Sequence, residues 1–118
     1  MKILLADDEF KLRKMIAIQL RKRGYIVLEA SNGKKAVELA INERPDVIIL
    51  DIKMPEMNGL EAYEKIKNSK NFDNIPIIIL SAQNDKDSLD KIKKLNIGHH
   101  LYKPFSFTEL VRVIKNVS

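Results

Sequence analysis

The 118-residue chain contains no cysteine. That excludes a disulfide framework and a thiolate metal site, and it suits a reducing compartment. No apolar run approaches the roughly 20 residues a membrane-spanning helix needs, and the short run behind Met1-Lys2 meets Asp7 too soon to act as a secretory signal core. We read the chain as cytoplasmic and expect no membrane contact. No glycine-rich loop follows the first apolar run. Asp7-Asp8-Glu9 stands there instead and would repel a phosphate, which argues against a dinucleotide or flavin binder. Linkers, repeats and low-complexity tracts are also missing, so residues 1–118 are expected to form one domain.

What is present is a soluble, globular composition, 45% hydrophobic and 31% charged, with a net charge of +5. The basic residues cluster in Lys11, Arg13, Lys14, Arg21, Lys22 and Arg23, and again in Lys86, Lys91, Lys93 and Lys94. No arginine–aromatic interleaving accompanies them. They read as the solvated faces of two helices, and no direct nucleic-acid contact is expected.

Strand-like and helix-like segments alternate five times. The strand-like runs are Ile3-Leu4-Leu5-Ala6, Tyr25-Ile26-Val27-Leu28, Val47-Ile48-Ile49-Leu50, Ile77-Ile78-Ile79-Leu80 and the weaker His100-Leu101-Tyr102. Most are continuously apolar rather than alternating. Continuous burial on two faces means a parallel sheet with helices on both sides, an α/β doubly wound (βα)5 fold. Leu12, Ile16 and Leu20 mark the first helix, which Gly24 ends, and Asn32-Gly33 is read as a turn. Asn58 with Glu61, and Ser106 with Glu109, have capping-box spacing, and Phe105 with Leu110 has hydrophobic-staple spacing.

The chemistry-bearing residues fall at the ends of these strands. Asp7 and Asp8 follow the first, Asp51 the third, Ser81 the fourth and Lys103 the fifth. In an open α/β sheet, ligands collect outside the carboxyl ends of the strands. Three acids gathered there repel unless a cation joins them, and an all-oxygen donor set suits Mg²⁺. A carboxylate beside such an ion can attack phosphorus and form an acyl phosphate, which makes Asp51 the candidate nucleophile. Asp7 and Asp8 are candidate metal ligands. Lys103 is a candidate partner for Asp51 or for phosphoryl oxygens, and Ser81 and the amide of Ala82 are candidate donors to them. Adjacent strand residues point to opposite faces, so His99 and His100 are not expected to chelate together.

In this order and with these gaps, Asp7-Asp8, the run from Asp51 to Asn58-Gly59, Ser81-Ala82 and Lys103-Pro104-Phe105 resemble the receiver domain of two-component response regulators over essentially the whole chain. A phosphatase of the haloacid dehalogenase type is the main rival. It would need a second acid two residues after Asp51, where this chain has Lys53, and a cap segment for which there is no room.

The resemblance implies a flavodoxin-like sheet of order 2-1-3-4-5, a cis Lys103–Pro104 bond, and a signalling switch rather than a turnover enzyme. It implies Mg²⁺ as cofactor, with the backbone carbonyl of Lys53 as a further ligand. It implies a sensor histidine kinase or phosphotransfer protein as donor, docking near the first helix and the loop after strand five. The output partner would be a downstream protein or a second copy of the chain. Lys53 and Gln83 would flank the approach of hydrolytic water. Ser81 would move on phosphorylation, and His100 would turn into the vacated space. The family usually places Tyr or Phe at that position. An imidazole is smaller, polar and titratable near neutrality, so switching here is expected to be pH-sensitive or less complete.

Overall fold

The structure, a computed structural model, describes residues 1–118 except Asp73 and Gln83. Five strands and five helices alternate: β1 (Lys2–Ala6), α1 (Phe10–Lys22), β2 (Ile26–Ala30), α2 (Gly33–Glu43), β3 (Val47–Asp51), α3 (Gly59–Lys67), β4 (Ile77–Ala82), α4 (Lys86–Lys94), β5 (His100–Lys103) and α5 (Phe107–Val117). Every strand pair is parallel, and the sheet order is β2-β1-β3-β4-β5.

Alternation along the strands feeds two cores. Leu4, Ala6, Ile48, Leu50, Ile77 and Ile79 pack with residues of α2, α3 and α4. Ile3, Leu5, Val47, Ile49, Ile78 and Leu80 pack with α1 and α5. Each of these strand residues is at most 3% exposed. Burial on both faces explains why the strands read as unbroken apolar runs.

Local chemistry sets the helix starts. Asn58 and Glu61 form a reciprocal capping box on α3, as Ser106 and Glu109 do on α5. The Lys103–Pro104 peptide that leads into α5 is cis. Asn32-Gly33 is not a free turn: Asn32 caps α2 by accepting from the Lys35 amide at 2.7 Å, and Gly33 is the first helical residue. A Cβ on Gly33 would overlap the Met57 carbonyl, and one on Gly59 would overlap the Asp51 carbonyl. Both glycines therefore let the loop after β3 lie flat against its neighbours.

Two further expectations need correction. β2 runs from Ile26 to Ala30, later than the Tyr25–Leu28 run, because the Tyr25 amide donates to the Leu20 carbonyl at the end of α1. Arg13 is not a solvated charge. It is 8% exposed and shares a stripe with Ile16, Ala17 and Leu20. Its charge is met by Glu29 of β2, at 3.1 Å.

Candidate functional site

The parallel sheet brings the loop after β1 and the ends of β3, β4 and β5 to one edge. Asp7 is fully buried there, Asp51 is 5% exposed and Asp8 is exposed. One carboxylate oxygen from each of the three lies within 4.8 Å of the others. Lys103 reaches across from β5. Its Nζ lies 3.1 Å from Asp7 Oδ2 and 3.1 Å from Asp51 Oδ2. The other Asp7 oxygen accepts the Glu9 amide at 2.9 Å. Among the described residues, Asp8 makes no side-chain hydrogen bond or ion pair.

These placements set the charge balance. Burial, and then the neighbouring charge of Asp7, push the Asp51 carboxyl up to about 6, against the pull of Lys103. Burial works against the Lys103 ammonium, but the charges of Asp51 and Asp7 outweigh it and hold its pKa above the ordinary lysine value. Three carboxylates thus face one ammonium, leaving an excess of negative charge on oxygen donors, which fits a hard dication.

Ser81 lies on β4, next to the strand that carries Asp51. Its Oγ is buried and, among the described residues, has no hydrogen-bond partner. Buried hydroxyls are normally satisfied, so this one has a donor to spare. Ala82 is the last residue of β4, and Lys53 is exposed in the loop after β3. A shallow groove lined by Asp8, Lys53, Met54, Pro55 and Asp85 opens beside the acids. Gln83 lies outside the described residues. His100 is half-buried, and its ring meets that of Tyr102 edge-on at 5.0 Å. Parallel register places Ile79 beside His100 and Ser81 beside Tyr102, so these four side chains share one sheet face. Among the described residues, the three aspartates form the only group of acidic or histidine ligands placed to hold a metal.

Sequence reasoning missed the support beneath Asp7. Arg13 Nη1 donates to the Asp7 carbonyl at 2.9 Å, and Arg13 Nε donates to Glu29. Lys14 and Arg21 also reach Glu29, at 3.1 and 3.2 Å. The available signal was an arginine on the apolar stripe of α1.

An acidic pocket, a pairing lysine and a hydroxyl with no partner among the described residues lie together at the strand ends of a doubly wound sheet. The family model described as "Response regulator receiver domain" matches residues 3–115. The chain belongs to that family, and its function is that of a phosphoacceptor switch in two-component signalling. Over 117 residues it is 39% identical to the phosphate regulon transcriptional regulatory protein PhoB of Pseudomonas aeruginosa, covering 98% of this chain and 50% of the relative. It is 34% identical to sporulation initiation phosphotransferase F of Bacillus subtilis, covering 97% and 90%. The chain thus spans half of the first relative and most of the second. The crystal structure of the receiver domain of a Pseudomonas aeruginosa sensor histidine kinase superposes with a TM-score of 0.89 at 30% identity, covering 98% of this chain and 94% of that one. That structure has a magnesium ion coordinated in its active site cleft. Receiver domains bind Mg²⁺ at an acidic pocket and take phosphoryl groups from histidine kinases or phosphotransfer proteins. No helix among the described residues is long and apolar enough to cross a membrane.

Proposed function

We propose that Asp51 is the phosphoacceptor, with Asp7, Asp8, Asp51 and the backbone carbonyl of Lys53 holding Mg²⁺ and with Ser81, the Ala82 amide and Lys103 holding the phosphoryl oxygens. The observation that carries this reading is the Asp51 carboxylate at the end of β3, 3.1 Å from the Lys103 ammonium and gathered with Asp7 and Asp8. Both Asp7 oxygens already accept hydrogen bonds, whereas Asp8 is exposed. Asp8 would therefore hold the ion directly, and Asp7 would hold it directly or through a water. The bound dication would neutralise charge on the transferring group.

Transfer asks little of the protein beyond position and charge. An Asp51 oxygen bonds to the phosphorus of a phosphohistidine. The P–N bond breaks, its electron pair goes to the departing imidazole, and an acyl phosphate remains. At neutral pH and above, Asp51 is mostly ionised and competent to attack. Lys103 gives up its contact with Asp51 and follows a phosphoryl oxygen. Ser81 supplies its spare donor to another. That movement opens space on the face shared with His100, whose ring would turn inward. Lys53 and Gln83 would tune access of hydrolytic water. The domain is a switch that catalyses its own phosphorylation and slow dephosphorylation, and it works in the cytoplasm as one unit over residues 1–118.

The donor would be a sensor histidine kinase or phosphotransfer protein, meeting the outer face of α1. There Phe10, Met15 and Ile18 are exposed, with Lys11 and Lys22 exposed on the same helix. Arg13 is buried, so charge reversal at the exposed Lys11 and Lys22 tests whether the charge of that face sets the association rate. The α4–β5–α5 face would carry the output to a downstream protein or a second copy.

Incubation with a small phosphodonor and Mg²⁺, followed by intact mass measurement, tests the assignment. The parent chain should gain one phosphoryl group and Asp51→Asn none. Modification of both, or of neither, would contradict it.

A further inference from the structure

The loop Asp7-Asp8-Glu9 must hold two carboxylates in place against their own repulsion. Its backbone is tied at two points. The Asp7 amide donates to the Ala30 carbonyl of β2 at 3.0 Å. The Asp7 carbonyl accepts from Arg13 Nη1 at 2.9 Å. A guanidinium is a rigid planar fork, so its second contact fixes its first. That second contact is Glu29 Oε1, 3.1 Å from Arg13 Nε, with both side chains nearly buried at 10% and 12% exposure. Glu29 is in turn gripped by Lys14 and Arg21, and Arg21 also donates to the Val27 carbonyl at 2.9 Å. Phe10 lies over the guanidinium, with its ring centroid 5.5 Å away.

The fold alone does not call for this arrangement. A buried ion pair recovers little more than its desolvation cost, and apolar replacements of similar volume are often neutral or stabilising. An apolar residue at position 13 would continue the Ile16–Leu20 stripe. Instead the position carries a charge that reaches back to the carbonyl of a metal-site acid.

We propose that Arg13, locked by Glu29, is a positioning residue that holds the Asp7-Asp8 loop in the geometry that binds a divalent cation. The proposal rests on the reading that these acids hold Mg²⁺, and it adds the outer support of that site. Such support is commonly worth tenfold or more in metal affinity.

Charge and position make opposite predictions here. Arg13 is a cation beside an acidic site, so on Coulomb grounds its removal should tighten Mg²⁺ binding. Loss of position should loosen it. The test is Mg²⁺ titration of the full chain, followed by backbone amide shifts, for the parent, Arg13→Met, Arg13→Lys and Lys14→Met. Arg13→Met should bind at least about tenfold more weakly. Arg13→Lys keeps the charge but lacks the fork, and should also weaken binding. Lys14→Met, which touches Glu29 but not Asp7, should bind as tightly as the parent or tighter. In metal-free buffer the Glu9 amide, which donates to Asp7 Oδ1, should exchange faster in both Arg13 variants. If Arg13→Met does not fold, Arg13→Lys decides alone. Unchanged or tighter binding in a folded Arg13 variant, whatever its melting temperature, overturns the proposal. Failure of the parent chain itself to bind Mg²⁺ overturns the underlying site reading and this inference with it.

Discussion

Asp51 ionises in the folded protein only at about 6, against an ordinary value of 3.8. Burial and the Asp7 charge 'oppose' the carboxylate, and the unfolded chain imposes neither. The folded state therefore holds the Asp51 proton more tightly than the unfolded state. Its contribution is most favourable below about pH 4, is lost as pH rises through 6, and stays lost above that. Roughly two pH units at 1.36 kcal/mol each give about 3 kcal/mol of metal-free destabilisation at pH 8. Asp51→Asn removes the ionisation and leaves the Asp7–Lys103 pair, at 3.1 Å, in place. Allowing for imperfect accommodation of the amide, the gain should be about 1.5–3 kcal/mol. A domain of this size unfolds with an entropy near 0.25 kcal/mol/K, so the melting temperature should rise by about 6–12 °C at pH 8 in chelator. The difference should fade toward pH 4 and shrink when Mg²⁺ is added to the parent. Thermal melts of both proteins at pH 4 and 8 are sufficient. A variant that melts lower than the parent at pH 8, or by a pH-independent margin, would refute the reasoning. Asp8→Ala should give a smaller gain, because Asp8 is exposed and adds the least to the Asp51 shift.

Three further outcomes follow from the same geometry. Lys103→Met strands two buried carboxylates and should cost about 3 kcal/mol or more in metal-free melts at pH 8, with much of the loss restored by millimolar Mg²⁺. Ser81→Ala removes a buried hydroxyl with no partner among the described residues, so melting should be unchanged or up to about 1 kcal/mol more favourable. The amide shifts that a phosphoryl mimic induces around His100 should nonetheless be lost. His100→Tyr should alter those shifts, because the larger ring fills the shared face differently; identical mimic-induced shifts in both proteins would remove histidine from the switch.

The parts of this molecule that were legible in its sequence are those governed by short-range rules. Two-faced burial writes itself as unbroken apolar runs, so β1, β3 and β4 were readable. β5 was harder because it is short and only half-buried. The capping boxes at Asn58 and Ser106 were readable because both partners lie within one helical turn. The gathering of Asp7, Asp8, Asp51 and Lys103 was readable because a parallel sheet delivers every strand end to the same edge, so order along the chain translates into proximity.

What sequence could not convey was which charges lose their water. Asp7 and Asp8 are neighbours in the chain, yet one is fully buried under Lys103 and the other is exposed. Arg13 and Lys14 are neighbours too, and both meet Glu29, but only Arg13 is buried and reaches the Asp7 carbonyl. The difference arises from one helical step of about 100°, combined with an acid 16 residues away on the edge strand. A count of basic residues in α1 cannot register that step. It turns one cation into support for the acidic loop and leaves its neighbour partly in solvent.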